Sequence, residues 1–296
     1  MKMIQVTYKV VNFLMRFCCA GICFLTMHIH DITIADESKI KNWLCYYGDT
    51  FGPDVYSRFD LVVLDGTNHP RLPAKGKDKP IILGYVSIGE VDVSGPLWKY
   101  AKDKPYLVKR NDFWDSWVVD IRNPSWQRLL FETAIPSVLE QGFDGLFLDT
   151  FDSSLGLLEG KDGAEFRGTE EALKEITMKI KAEYPEIPVA VNRGLPALPY
   201  FGKYIDFIVI EDLYSYYADH EQGYIKVDES TQMILLDQVR QGLLVNPEIV
   251  ILTLDYVSSK QAEIAKNAIS FSRKKGFIPY VSTYKLDQIH FYTLDD

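Results

Sequence analysis

The chain has 296 residues, of which 47% are hydrophobic and 25% are charged, and its formal net charge is −9. This composition is that of a globular protein with a sizeable core, so it excludes an intrinsically disordered chain. The acidic balance disfavours nucleic acid as a partner, because phosphate binding requires a basic surface.

The first 35 residues have the three-part pattern of a secretory signal peptide. A basic start precedes an apolar run at residues 17–27, which is shorter than the roughly 18–20 residues that span a bilayer. Thr33 and Ala35 then place small residues before a cleavage site at Asp36. We therefore expect residues 1–35 to be removed on export and residues 36–296 to form the mature domain, with no stable membrane span after processing. A retained N-terminal anchor is the alternative.

The leader also takes most of the cysteines and some of the positive charge with it. Three of the four cysteines lie in it, so Cys45 alone remains and no intramolecular disulfide is expected in the mature domain. The leader carries three basic residues and one acidic residue, a net +2, so the mature charge is about −11. Such acidity suits a cationic ligand, and it also suits simple solubility.

From residue 43 onward, short apolar runs alternate with longer segments of helical spacing. Most of the runs are almost continuously apolar, which indicates strands that are covered on both faces, as in a parallel sheet. Eight strands over about 250 residues predict the α/β class and a single (β/α)8 TIM barrel. The eight runs are residues 43–47, 59–64, 81–88, 143–148, 187–191, 207–210, 249–254 and 277–282.

Helices are predicted between these runs, at residues 126–139, 169–184, 229–241 and 258–275. One connection, between residues 88 and 143, is much longer than the others. It contains a strand-like segment at residues 117–121. We interpret that segment as part of an active-site loop, because eight strands already close the barrel.

Acidic and polar residues follow seven of the eight runs, at the C-terminal strand ends where barrel active sites lie. Such a group of carboxylates serves either to bind a metal ion or to perform acid–base chemistry. No histidine lies at a strand end, which disfavours a histidine-containing metal site, while an all-oxygen Mg²⁺ or Ca²⁺ site stays open. The strand-end residues are Asp49, Asp65, Glu90, Asp149, Asp152, Asn192, Arg193, Glu211, Asp212, Asp255 and Tyr256.

Glycoside hydrolysis is the reaction that this pattern favours. It requires two carboxylates and no cofactor. Aromatic side chains near the same ends would stack on sugar rings. The aromatic residues available for this are Tyr46, Tyr47, Tyr85, Phe151, Tyr214, Tyr216, Tyr217, Tyr256 and Tyr280.

Four stretches of the sequence resemble, in order and spacing, signatures of glycoside hydrolase family 114 and of its relative, the Pel polysaccharide hydrolase domain. They are QGFDGLFLDTFD at residues 141–152, GYVSIGE at 84–90, IVIEDLY at 208–214 and GFIPYVS at 276–282. The resemblance covers roughly residues 43–290. Polygalactosaminidases often carry Asp-Pro-Asp-Asn where this chain has Phe147-Leu148-Asp149-Thr150, so the chain resembles the Pel-type branch more closely.

The resemblance implies a (β/α)8 barrel that cleaves α-1,4-linked galactosamine or N-acetylgalactosamine polymers internally. Such an amino-sugar polymer can be cationic. It places an Asp at the end of the fourth strand and a Glu at the end of the sixth, which are Asp149 and Glu211 here. We predict Asp149 as nucleophile and Glu211 as acid/base, without metal or cofactor. The predicted substrate-binding residues are Tyr46, Asp65, Tyr85, Ser87, Glu90, Asp152, Asn192, Arg193, Tyr214, Asp255, Tyr256 and Tyr280.

Two other functions fit parts of the sequence. One is an exported carbohydrate-binding barrel without catalysis, which would keep the aromatic residues but would not need both Asp149 and Glu211. The other is a metal-dependent polysaccharide hydrolase or deacetylase, whose activity a chelator would abolish.

Overall fold

A computed structural model describes residues 40–73, 76 and 79–291 of the chain. The predicted signal peptide and its cleavage site lie outside these residues. Among the helices of the described part, none is long and apolar enough to cross a membrane.

Eight strands form one parallel sheet that curves into a nearly closed barrel, in the order β1-β2-β3-β7-β8-β9-β12-β13. This confirms the predicted (β/α)8 architecture, and each predicted run overlaps one of these strands. In chain order the described strands are β1 (Trp43–Tyr46), β2 (Leu61–Leu64), β3 (Ile81–Ser87), β4 (Glu90–Asp92), β5 (Leu107–Asn111), β6 (Ser116–Val119), β7 (Gly145–Asp149), β8 (Val189–Asn192), β9 (Phe207–Glu211), β10 (Ser215–Asp219), β11 (Gly223–Lys226), β12 (Val250–Tyr256) and β13 (Ile278–Ser282).

The barrel strands are apolar on both faces because one face lines the interior and the other packs under helices. All four residues of β1 and of β2 are fully buried. At the seam between β1 and β13, the Trp43 indole N–H donates to the Ile278 carbonyl at 3.0 Å. The Trp43 ring also packs edge-on against Tyr280, with 5.9 Å between centroids.

Helices surround this sheet. They are α1 (Pro53–Tyr56), α2 (Trp98–Ala101), α3 (Pro124–Leu129), α4 (Ile135–Leu139), α5 (Phe151–Leu155), α6 (Thr169–Glu183), α7 (Leu198–Phe201), α8 (Glu229–Leu243) and α9 (Ala262–Arg273). The predicted helix at 126–139 is interrupted by a π-helical turn, Leu130–Ala134, between α3 and α4. Pro136 lacks an N–H and its ring crowds the preceding turn, which accounts for the interruption. The helix predicted from residue 258 begins at Ala262.

The long connection after β3 carries a second, antiparallel sheet in the order β4-β6-β5. The strand-like segment that we interpreted as a loop is therefore a true strand, β6, although it lies outside the barrel. A further hairpin, β10 and β11, follows the sixth barrel strand. Both excursions leave the barrel from C-terminal strand ends, so they stand on the side where barrel enzymes hold their active sites.

Candidate active site

Three neighbouring barrel strands end on polar residues at the same edge of the barrel. These residues are Asp149 on β7, Asn192 on β8 and Glu211 on β9. The residue after each of them has a left-handed backbone, which costs a non-glycine residue energy and is concentrated at functional sites. The three strands therefore end in the same sharp turn, with φ of 67° at Thr150, 57° at Arg193 and 61° at Asp212.

The Asn192 side chain joins the two carboxylates. Its amide nitrogen donates to Asp149 Oδ1 at 2.9 Å and to Glu211 Oε2 at 2.9 Å. The two acceptor oxygens therefore lie at most about 5.8 Å apart, twice the length of each hydrogen bond. Asn192 is 6% exposed, so the protein rather than solvent fixes the position of this amide.

Asp149 has a strongly perturbed environment. Burial raises its pKa to about 7, and the charges of Glu211 and Asp152 act in the same direction. Hydrogen bonds from the Thr150 backbone and from Asn192 only partly offset this. Because the Glu211 carboxylate is close, ionising Asp149 is costly, so Asp149 takes up and releases its proton near neutrality.

Tyrosine hydroxyls approach both members of the pair. The Tyr256 hydroxyl donates to Glu211 Oε1 at 2.5 Å. Tyr85 forms a side-chain hydrogen bond with Asp149, and burial together with the Asp149 charge raises the Tyr85 pKa well above its ordinary value. Burial likewise raises the Tyr256 pKa. Both phenols therefore stay protonated and keep a donor for the carboxylates at neutral pH.

Arg193 connects two further acids beside the pair. Its Nε lies 3.2 Å from Asp152 Oδ2, and its Nη1 lies 3.0 Å from Asp212 Oδ2. Burial and the Glu211 charge raise the Asp212 pKa, while Arg193 opposes that shift. Asp152 is the more exposed of the two carboxylates, with a side chain 44% accessible. It is therefore the one that a ligand in the barrel mouth can reach more easily.

The third barrel strand is tied to the fourth at the same edge. The Ser87 hydroxyl lies 2.9 Å from the Thr150 hydroxyl and donates to the Glu90 carbonyl at 2.8 Å. The Gly89 N–H donates to Thr150 Oγ1 at 2.8 Å. A Cβ at Gly89 would stand 2.1 Å from the Thr150 carbonyl oxygen, so only glycine permits this approach.

Glu90 is a second buried carboxylate, 5% exposed. It accepts hydrogen bonds from Asn111 Nδ2 at 3.0 Å, from the Ser153 hydroxyl at 2.5 Å and from the Ser116 hydroxyl. These donors come from β5, α5 and β6. Glu90 therefore fastens the antiparallel sheet to the barrel, and the role in substrate binding that we predicted for it remains a prediction.

Several other predicted residues hold turns of the protein itself. Tyr46 is fully buried, and its hydroxyl accepts from the backbone N–H groups of Thr50 and Phe51 at 2.9 and 3.2 Å. Asp65 Oδ1 accepts from the Thr67 N–H at 2.6 Å and from the Asn68 N–H. Tyr280 is fully buried at the barrel seam. These contacts of the three side chains are with the protein itself, and their predicted role in substrate binding remains a prediction.

Asp255 lies near the end of β12, and Tyr214 lies just after the end of β9. Asp255 is fully buried, and its Oδ1 accepts from the backbone N–H groups of Tyr214 and Ser215 at 2.6 and 3.0 Å. Burial nevertheless raises the Asp255 pKa to about 7. The Tyr214 ring packs on Phe271 of α9, at 5.5 Å between centroids. Asp255 thus orders the turn that carries Glu211, and Tyr214 faces a helix.

Tyr47 is a neighbour of the site that the predicted set did not include. Its ring packs edge-on against Tyr85, with 5.5 Å between centroids. Burial raises its pKa well above the ordinary value, with Cys45 and Asp149 acting in the same direction. The sequence did indicate a place for Tyr47 near the site, because Tyr47 directly follows β1 and so lies at the C-terminal end of the first barrel strand.

No group of three or more His, Cys, Asp or Glu side chains within the described ranges is arranged to hold a metal ion.

Solved structures share the fold of this chain. The glycoside hydrolase domain of PelA from Pseudomonas aeruginosa matches with a TM-score of 0.71 and 24% identity, covering 84% of this chain and 97% of that one. Ega3 from Aspergillus fumigatus, in complex with galactosamine, matches with a TM-score of 0.62 and 11% identity, covering 90% of this chain and 98% of that one. At these identities the likeness establishes the fold alone.

The sequence itself gives a stronger assignment. None of the curated proteins compared matches the chain. The model of glycoside-hydrolase family GH114, however, matches residues 33–295. This span includes all eight barrel strands and both Asp149 and Glu211. The chain therefore belongs to glycoside-hydrolase family GH114 and is a glycoside hydrolase.

Proposed function

We propose that the chain cleaves α-1,4-linked galactosamine or N-acetylgalactosamine polysaccharides within the polymer and with retention of anomeric configuration. Asp149 is the nucleophile and Glu211 is the general acid/base. The observation that carries this proposal is the Asn192 amide, which donates to both carboxylates from the strand between them.

The separation of the carboxylates supports retention. Retaining glycosidases have their two carboxyl groups about 5–5.5 Å apart, whereas inverting enzymes need about 6.5–9.5 Å to admit a water molecule. The limit of about 5.8 Å between the two oxygens that share Asn192, twice 2.9 Å, favours the shorter class. It favours direct attack by a carboxylate over attack by a water molecule lodged between the two acids.

The chemistry then takes two steps. In the first, an Asp149 oxygen bonds to the anomeric carbon, the glycosidic C–O bond breaks, and Glu211 gives its proton to the leaving oxygen. In the second, water attacks the same carbon, Glu211 accepts the water proton, and the bond to Asp149 breaks. Glu211 ends protonated and Asp149 ends ionised, as both began. The Tyr256 hydroxyl and the Asn192 amide hold Glu211 in position through both steps.

The substrate class rests on similarity and on charge. Ega3, which shares the fold, was solved with galactosamine bound, and the sequence motifs resemble those of glycoside hydrolase family 114 and of the Pel polysaccharide hydrolase domain. A galactosamine unit carries an amine that is cationic when protonated. Asp152, with its half-exposed carboxylate beside the pair, is the residue that we assign to that amine.

The proposal is tested by incubating the purified protein with an α-1,4-galactosamine polymer and with its N-acetylated form, and sizing the products. Internal cleavage gives a ladder of oligosaccharides early in the reaction. Release of monosaccharide alone would contradict internal cleavage, and the absence of hydrolysis of both polymers would contradict the substrate class. Asp149→Asn and Glu211→Gln proteins serve as inactive controls.

We also propose that the enzyme acts outside the cytoplasm, because residues 1–35 have the pattern of a signal peptide. The intact mass of protein recovered from the medium or periplasm tests this. A chain beginning near Asp36 is expected. Exported protein that still contains residues 1–30 would contradict cleavage.

A further inference from the structure

The connection between the third and fourth barrel strands carries an unusual share of the exposed aromatic surface. Four aromatic side chains of the described residues are strongly exposed: Tyr100, Phe113, Trp114 and Tyr200. Three of these four lie in this connection. Phe113 is 53% exposed and Trp114 is 52% exposed, and both lie in the turn that joins β5 to β6. Adjacent exposed aromatic rings of this size mark interaction sites more often than isolated ones do.

The turn is held firmly although its aromatic rings are exposed. The two rings pack edge-to-face, with centroids 4.8 Å apart and planes at 85°. The Val93 N–H donates to the Asp115 carbonyl at 3.1 Å, and the Arg110 guanidinium donates to the Asp115 carboxylate and to the Ser116 carbonyl. A ligand would therefore meet a preformed surface and would lose little binding energy in ordering it.

The same turn stands at the catalytic end of the barrel. Asn111 and Ser116, which flank the turn, both donate to Glu90. Glu90 lies three residues beyond the end of β3 and also binds Ser153, four residues after Asp149. The buried Glu90 carboxylate thus fixes the base of the aromatic turn to the strand end that carries the nucleophile.

Carboxylates surround the two rings in the sequence Asp112-Phe113-Trp114-Asp115. The Asp112 side chain is 94% exposed, and its nearest basic group is Arg110, whose Nε lies 3.8 Å away. Asp115 is bound more closely to Arg110. Aromatic faces with an exposed carboxylate beside them bind ammonium groups, because the negative ring face and the anion attract the same charge.

We propose that Asp112, Phe113 and Trp114 form a second binding surface for the amino-sugar polymer, which holds protonated galactosamine units away from the point of cleavage. The rings stack on sugar faces and attract the ammonium groups, and Asp112 adds charge attraction. This inference rests on the proposed function, since it takes the occupant to be the same polymer that Asp149 and Glu211 cut. It adds a site that raises the affinity for long chains and leaves short ones unaffected.

The test compares long and short substrates in a Phe113→Ala/Trp114→Ala double variant. We expect kcat/KM for the galactosamine polymer to fall at least about tenfold, mainly through KM. Hydrolysis of a galactosamine oligosaccharide that is short enough to occupy only the cleavage site should stay unchanged. Tyr200→Ala is the matched control: Tyr200 is 47% exposed, but it lies on α7, which packs in the outer helical layer against α6 and α8.

Polymer kinetics equal to those of the unmodified enzyme, or an equal loss on the short oligosaccharide, would overturn the proposal. If the unmodified enzyme cleaves neither substrate, the proposed function fails instead, so the two failures are distinguishable. An Asp112→Asn variant separates charge from stacking. It should weaken binding of the galactosamine polymer but not of the fully N-acetylated polymer, and equal weakening of both would contradict the role given to the ammonium group.

Discussion

Two groups of carboxylates at the same end of the barrel differ in how their hydrogen bonds are arranged. Glu90 is one acid with donors from Asn111, Ser116 and Ser153. Asp149 and Glu211 are two acids that share the Asn192 amide. A buried carboxylate that several donors bind is held in place by its hydrogen bonds and serves to join the elements that supply them. In the pair, the nearby Glu211 charge adds to burial in raising the pKa of Asp149, and a carboxylate that titrates near neutrality suits acid–base catalysis.

This comparison predicts that the paired acids are needed for catalysis and not for folding. Asp149→Asn or Glu211→Gln should lower kcat by at least about 10²–10⁴-fold, because each removes one role in the two-step reaction. Thermal unfolding should not move to lower temperature, since each change removes a repelling charge. The measurement is turnover on a galactosamine polymer beside a calorimetric scan. Near-normal turnover in either variant would remove that residue from the catalytic pair.

Replacing Glu90, by contrast, is expected to lower the stability of the fold. Glu90→Ala leaves the donors of Asn111, Ser116 and Ser153 without an acceptor, and should cost about 2–3 kcal/mol of the free energy of unfolding. Urea unfolding measures this loss. Glu221→Ala is the control, because Glu221 is an exposed carboxylate in the β10–β11 turn and should change stability by no more than about 0.5 kcal/mol. An equally small effect at Glu90 would show that its hydrogen bonds do not fasten the second sheet.

The Asn192 amide, which donates to both Asp149 and Glu211, distinguishes the paired acids from Glu90. Asn192→Ala removes the shared donor and should lower kcat about 10–100-fold, with a smaller effect on KM, because the carboxylates lose their fixed separation. The pH optimum should also move, since the amide lowers the Asp149 pKa. A variant that loses activity without any change in its pH profile would show that Asn192 is only structural.

The pH dependence of kcat/KM separates the roles within the pair. The Asp149 pKa is raised to about 7, and a nucleophile must be ionised. We therefore expect kcat/KM to fall as the pH decreases below about 7, with a slope approaching tenfold per pH unit. A loss of activity as the pH rises through 7, with none below it, would instead assign Asp149 as the acid and Glu211 as the nucleophile.

The raised pKa of Asp149 should also make the free energy of unfolding depend on pH. Because the folded pKa of Asp149 lies above the value of about 3.9 for an unfolded chain, the folded state binds the extra proton between these values. Its contribution to stability is present below about pH 4 and is lost as the pH rises to about 7. Asp149→Asn cannot show this loss. The difference in unfolding free energy between the two proteins should therefore favour the variant increasingly from pH 4 to 7.

The sequence predicted the barrel and the strand ends well, for a physical reason. Strands buried on both faces must be almost continuously apolar, so a polar residue such as Asp149 or Glu211 marks the position where a strand leaves the core. The sequence does not predict, however, which way a side chain at that position points. Asp255 ends a strand as Glu211 does, yet it turns to the backbone of Tyr214 and Ser215.

Contacts between side chains of different strands could not be predicted from the sequence. The bridge from Asn192 to both acids depends on the tilt and stagger of three strands, which no local pattern encodes. The second sheet shows the same limit. Its strand β6 was recognised as strand-like, but its partners β4 and β5 are short and only partly apolar, so the segment was interpreted as part of a loop. Tyr47 was among the aromatic residues available for stacking but not in the predicted substrate-binding set, because an aromatic residue beyond β1 fits core packing equally well.

The proposed retaining mechanism requires Asp149 and Glu211 to lie close enough for a covalent intermediate. Proton NMR of the first products from an α-linked galactosamine oligosaccharide tests this most directly, because it identifies the anomer before mutarotation. We predict that the newly released reducing end appears as the α anomer, which reflects retention through two displacements at one carbon. Initial release of the β anomer would show inversion by a single displacement and would contradict the close pairing of the two carboxylates.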